Sequence, residues 1–98
     1  MILAYITFEN KSEACLFCEE LIKTKLIKCA NILEGTSVFE WQEHVAKNSE
    51  AYAILKLKKE NQNKLLDYVE THHSYDTACC IFVEPDKVNE AYLKWVNS

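Results

Sequence analysis

Between Glu70 and Glu84 the chain reads Glu-Thr-His-His-Ser-Tyr-Asp-Thr-Ala-Cys-Cys-Ile-Phe-Val-Glu, gathering two of the three histidines, a tyrosine, an aspartate and two of the five cysteines. Imidazole ligates copper, zinc and nickel and exchanges protons near neutral pH. His72 and His73 are adjacent, so their side chains diverge by about 100° on a helix and about 180° on a strand. Both can clamp one ion only where the backbone bends, and a helix end supplies such a bend. The same pair would serve as cationic or hydrogen-bonding groups at a helix C-terminus. No HxH or HxxxH spacing exists, and His44 is remote. Tyr75 and Asp76 are placed either to orient a histidine from behind or to cap and pack the segment.

The remaining chemistry-bearing residues point less far. Cys15-Leu-Phe-Cys18 is a CxxC, but it falls about one turn inside a helix rather than in an exposed loop, which reads as structural. Cys79 and Cys80 point to opposite faces of a strand, one toward the core. No nucleophile–base pair or oxyanion loop is visible, so the reading is of a protein that is not an enzyme. All eleven basic residues are lysines. Without arginine there is no fork for bidentate phosphate recognition, which excludes an acylphosphatase-type loop. The net charge of −4 and the lack of aromatic RNP motifs exclude nucleic acid as a partner.

These residues need a scaffold, and the hydropathy pattern describes one. Ile2, Ala4, Ile6 and Phe8 alternate with Leu3, Tyr5 and Thr7, a strand apolar on both faces and expected to be covered on both. Asn10 reads as an N-cap, with Glu13 reaching back as in a capping box. Ala14, Phe17, Cys18, Leu21 and Ile22 give a helix to about Leu26. An extended stretch follows, bent or bulged at Gly35, the only glycine. It turns at Ala46–Ser49 and returns through Ala51, Ala53, Leu55 and Leu57, a long hairpin that must lie on helices or on other subunits. A second helix spans Glu60 to His72, a strand spans Ala78–Val83, and a last helix capped by Asp86 carries Val88, Ala91, Tyr92, Trp95 and Val96. The order β-α-β-β-α-β plus a C-terminal helix predicts an α+β, ferredoxin-like domain with an antiparallel sheet, one unit over residues 1–98.

Ninety-eight residues bury a limited core, yet five tyrosines, four phenylalanines and two tryptophans have to be housed. That surplus predicts oligomerisation. No apolar run approaches the roughly 20 residues of a membrane span. The first residues lack the features of a signal peptide, and the odd cysteine count suits reduced thiols, so the expected compartment is the cytoplasm.

Lys28-Cys-Ala-Asn-Ile32, Gly35-Thr-Ser37, Phe39-Glu-Trp41, Glu50, Ile54-Leu-Lys56, His72-His-Ser-Tyr75 and Tyr92-Leu-Lys-Trp-Val96 occur in a fixed order that resembles the CutA divalent-cation-tolerance family over nearly the whole chain. The resemblance implies a ferredoxin-like subunit in a homotrimer similar to PII-type signalling proteins, linked to tolerance of copper and other divalent metals. Its long hairpin would make the subunit contacts, using Phe39, Trp41 and Tyr52. Copper ligation in bacterial relatives is attributed to the paired histidines and a cysteine near the end of the first strand. That position is Ile6 here, so only His72 and His73 carry over. The leading reading is therefore a trimer binding Cu2+ or another divalent metal through His72 and His73. The alternative is a PII-like regulatory or scaffolding trimer. Its inter-subunit clefts, lined by Trp41, Glu50, Lys56 and Tyr75, would bind a small anion or a partner protein.

Overall fold

In the computed structural model, which describes Met1–Ser98, the strands are β1 (Ile2–Phe8), β2 (Cys29–Trp41), β3 (His44–Leu57) and β4 (Cys80–Val83). The helices are α1 (Lys11–Lys23), α2 (Gln62–His72, entered through a 3-10 turn at Lys59–Asn61) and α3 (Glu90–Val96). The strands form one antiparallel sheet in the order β2-β3-β1-β4. This is the expected ferredoxin-like arrangement with an added C-terminal helix.

One face of the sheet is closed within the chain. Ile2, Ala4, Ile6 and Phe8 of β1 and Ala51, Ala53, Leu55 and Leu57 of β3 pack there against Ala14, Cys18 and Leu21 of α1 and Leu65 and Val69 of α2, all buried. The alternation of period two puts Leu3, Tyr5 and Thr7 on the other face. No helix of this chain covers them, and Tyr5 and its neighbours Ile81 and Val83 are exposed. The expectation that β1 is covered on both sides therefore holds for one side of the single chain.

The hairpin differs from its expected form in two ways. Its turn is Gln42-Glu43, closed by the pair Trp41↔His44, and Ala46–Ser49 lie inside β3. Gln42 and Glu43 have φ of 49° and 66°, both left-handed, as a two-residue type I′ hairpin demands. Asn-Gly or Asp-Gly would announce such a turn, and Gln-Glu does not. Gly35 is neither bulge nor bend, for it pairs in register with Glu50. What it provides is space, since a Cβ there would lie 2.9 Å from Cε1 of Tyr52. Beyond Ala51 the hairpin outruns β1, so the pairs from Gly35↔Glu50 to Trp41↔His44 protrude as a bare two-stranded arm.

Smaller corrections concern element ends. α1 stops at Lys23 rather than Leu26 because Lys25 enters the left-handed region (φ 63°). Leu26 N–H then bonds Leu21 C=O, and Lys25 N–H bonds Ile22 C=O, a Schellman closure. Asn10 does cap α1, accepting from Glu13 N–H at 2.8 Å. Glu13 does not reach back, because its carboxylate accepts instead from the Ser74 hydroxyl. β4 begins at Cys80, two residues after Ala78. α3 begins at Glu90 after Asn89, which leaves Asp86 and Val88 ahead of the helix.

Candidate functional site

The two histidines stand at the end of α2 and have different surroundings. His72 is exposed, stacked on Tyr68 with ring centroids 4.1 Å apart. Its Nδ1 lies 3.1 Å from the Tyr68 carbonyl. A carbonyl only accepts, so Nδ1 carries the hydrogen and Nε2 keeps its lone pair. Metal-ligating histidines are typically held this way, one ring N–H given to a carbonyl and the other nitrogen free.

His73 turns inward and both of its ring nitrogens are engaged. Nε2 donates to the Thr7 carbonyl at 2.7 Å, and Nδ1 accepts from the Tyr75 backbone N–H at 3.0 Å. The ring stacks on Phe8 (5.0 Å between centroids) and packs beside Phe17 and Tyr75. His73 thus ties the elbow to the end of β1 as a neutral imidazole, and coordinating a metal would sacrifice one of these hydrogen bonds. No three His, Cys, Asp or Glu side chains converge as a metal cage. Ile6, at the position where the resemblance implies a cysteine, is fully buried beneath the helices.

From His73 the chain of contacts continues to a cleft. Tyr75 donates its hydroxyl to Glu50 of β3 at 2.7 Å. Burial pushes the Tyr75 phenol well above its ordinary value, reinforced by the hydrogen bond and charge of Glu50 and by Glu9 and Glu13 nearby. Trp41, Glu50 and Tyr75 line one shallow cleft with Phe39 and Asp76, running along the arm to its base. Lys56 does not join them. It pairs across the strands with Leu3 and Cys29, at the other end of the sheet, and its ammonium bonds Asn31. Within one chain the cleft is therefore acidic, which suits a cation or a basic group.

No cysteine lines this cleft. Cys18 is buried in the core, and burial, with Cys15 beside it, pushes its pKa up to about 12. Burial likewise raises Cys80 to about 11. Both stay protonated at neutral pH, so neither is a ready thiolate ligand. All five cysteines are free.

The sequence singles out His72, His73, Trp41, Glu50 and Tyr75 but does not show that the two histidines have different surroundings. Nor does it point to Thr7 and Ser74, which anchor the elbow through a backbone carbonyl and a short hydroxyl and leave no pattern in the sequence.

Residues 2–98 match the family of the CutA1 divalent ion tolerance protein. The divalent-cation tolerance protein CutA of Pyrococcus horikoshii is 34% identical over 96 residues, covering 98% of this chain and 94% of that protein. A crystal structure of Pyrococcus horikoshii CutA in 3 M guanidine hydrochloride superposes with a TM-score of 0.95 at 34% identity, over 99% of this chain and 96% of that one. A PII-like protein CutA from Nostoc shares the fold, with a TM-score of 0.90 at 17% identity over 98% of this chain and 93% of that one.

Proposed function

The chain belongs to the CutA1 divalent ion tolerance family, and from that premise we propose that it is a non-enzymatic cytoplasmic homotrimer that binds a divalent cation, copper(II) first, at the elbow. His72 is the ligand of each chain and His73 the positioning residue. The observation that carries this division is the hydrogen bonding of the two rings: Nε2 of His72 is free and exposed, while both nitrogens of His73 are used. One imidazole is a weak anchor, so the remaining ligands come from water or a second chain. Trimerisation is supported by the bare arm and the uncovered sheet face, which need a partner to be stable.

Calorimetric titration of copper(II) into the protein and into separate His72→Ala and His73→Ala variants tests the assignment. His72→Ala should weaken binding about 100-fold. His73→Ala should instead cost roughly 1–3 kcal/mol of folding stability, because the Thr7 carbonyl and Tyr75 N–H lose their partners. Unchanged copper binding in His72→Ala would remove the metal role from the elbow.

A second reading rests on the Glu50–Tyr75 hydrogen bond in the cleft beside Trp41. It is a PII-like scaffolding trimer whose clefts receive a basic group of a partner protein.

A further inference from the structure

At the foot of the hairpin, at the opposite end from its tip, lies a hollow of about 510 Å³ between the end of α1 and the 3-10 turn before α2. Its apolar wall is Ile22, Leu26 and Ile27, and Lys25, Lys28 and Lys58 stand around it with no carboxylate side chain in its lining. The two ion pairs of the chain, Lys59–Glu84 and Lys94–Glu90, involve none of these three lysines. In a chain of net charge −4, three ammonium groups outside these ion pairs gather around one hollow.

Lys28 is held by its side chain and Lys25 by its backbone. Lys28 lies over the Trp95 ring, 5.3 Å from its centroid, and donates to the Ser98 hydroxyl at 3.0 Å. Lys25 occupies the left-handed position of the Schellman closure, where glycine is the usual residue and a side chain costs conformational energy. The Asn61 amide donates to the Lys25 and Leu26 carbonyls and ties this loop to the 3-10 turn. A local rule is broken at Lys25, and nothing in the folded chain uses the ammonium this places at the rim. Unexplained strain of this kind marks functional sites.

We infer that this hollow binds an organic phosphate, its phosphate among Lys25, Lys28 and Lys58 and its apolar body against Ile22, Leu26 and Ile27. Lysine ammoniums act as point charges that suit a tetrahedral phosphate, and the volume is that of a small-molecule site. The inference is independent of the metal reading at the elbow.

The test is calorimetry with phenyl phosphate, inorganic phosphate and benzyl alcohol on the full chain, with amide NMR shifts mapping the site. Phenyl phosphate should saturate at millimolar concentration or below, shift the amides of residues 25–28, 58 and 61, and bind about tenfold tighter than either fragment probe. Lys25→Gly removes the charge and relieves the left-handed strain. It should melt no lower than the parent yet bind phenyl phosphate about tenfold more weakly, as should Lys58→Gln. Any of three results would overturn the inference: no saturation at about 10 mM, equal affinity for inorganic and phenyl phosphate, or undiminished binding in both variants.

Discussion

On one side of the sheet Ile6, Phe8, Leu55 and Leu65 are fully buried, while on the other Ile81 and Val83 are 52% and 53% exposed and Trp41, out on the arm, is 63% exposed. The same strands contribute to both sides, wholly apolar in β1 and β3 on the closed one and apolar with Thr7, Asn31 and Lys56 interspersed on the open one. What separates the sides is that α1 and α2 cover one of them, while the other is touched only at its margins, by Tyr92 beside Cys29 and by Tyr75 on Glu50. One half of this protein is a completed core. The other half leaves apolar side chains exposed, and the arm extends it beyond the reach of β1.

That contrast can be pressed from either side. Leu65→Ala, on the closed side, leaves a cavity under α2 and should cost about 3 kcal/mol in a denaturant titration; a loss under about 1 kcal/mol would mean the core is less complete than it looks. The same side should respond to alkali. Burial raises the Cys18 thiol from 9.0 to about 12, so above pH 9 the unfolded chain releases a proton that the folded chain retains. Stability should therefore be fully present below pH 9 and fall as pH rises toward 12, with a shallower slope in Cys18→Ala.

On the open side, Gly35→Ala brings a methyl within 2.9 Å of the Tyr52 ring and should cost about 1–2 kcal/mol as that ring moves. Thermal melting that matches the parent would show Tyr52 to be free to swing away. Ile81→Ser should have the smallest effect on the fold, below about 0.5 kcal/mol for the isolated chain. Its effect should appear in assembly, as dissociation at lower dilution. An equal loss of chain stability and no change in assembly would break the comparison.

The same contrast explains what was legible in the sequence. Patterning alone determines the order of elements and their apolar faces, so the ferredoxin-like fold, the buried residues of β1 and β3 and the long hairpin were all readable. The hairpin turn was not, because its left-handed pair is Gln42-Glu43 and carries no turn residue. The role of Gly35 was hidden because it depends on Tyr52 from the neighbouring strand. At the elbow, residue types pointed to His72, His73, Glu50 and Tyr75, but which ring nitrogen meets which partner depends on the Thr7 and Tyr68 carbonyls. Backbone carbonyls are the same at every position of a sequence. Within one chain Lys56 stands apart from Trp41 and Tyr75, because sequence proximity to the arm does not reveal the register that sends it to the far end.

The central claim is that the open side exists to be covered by further copies of this chain. Sedimentation equilibrium at micromolar concentration tests it without any variant. A species of three times the 11.4 kDa chain mass, with no monomer evident, is the predicted result. A single 11.4 kDa species would contradict it.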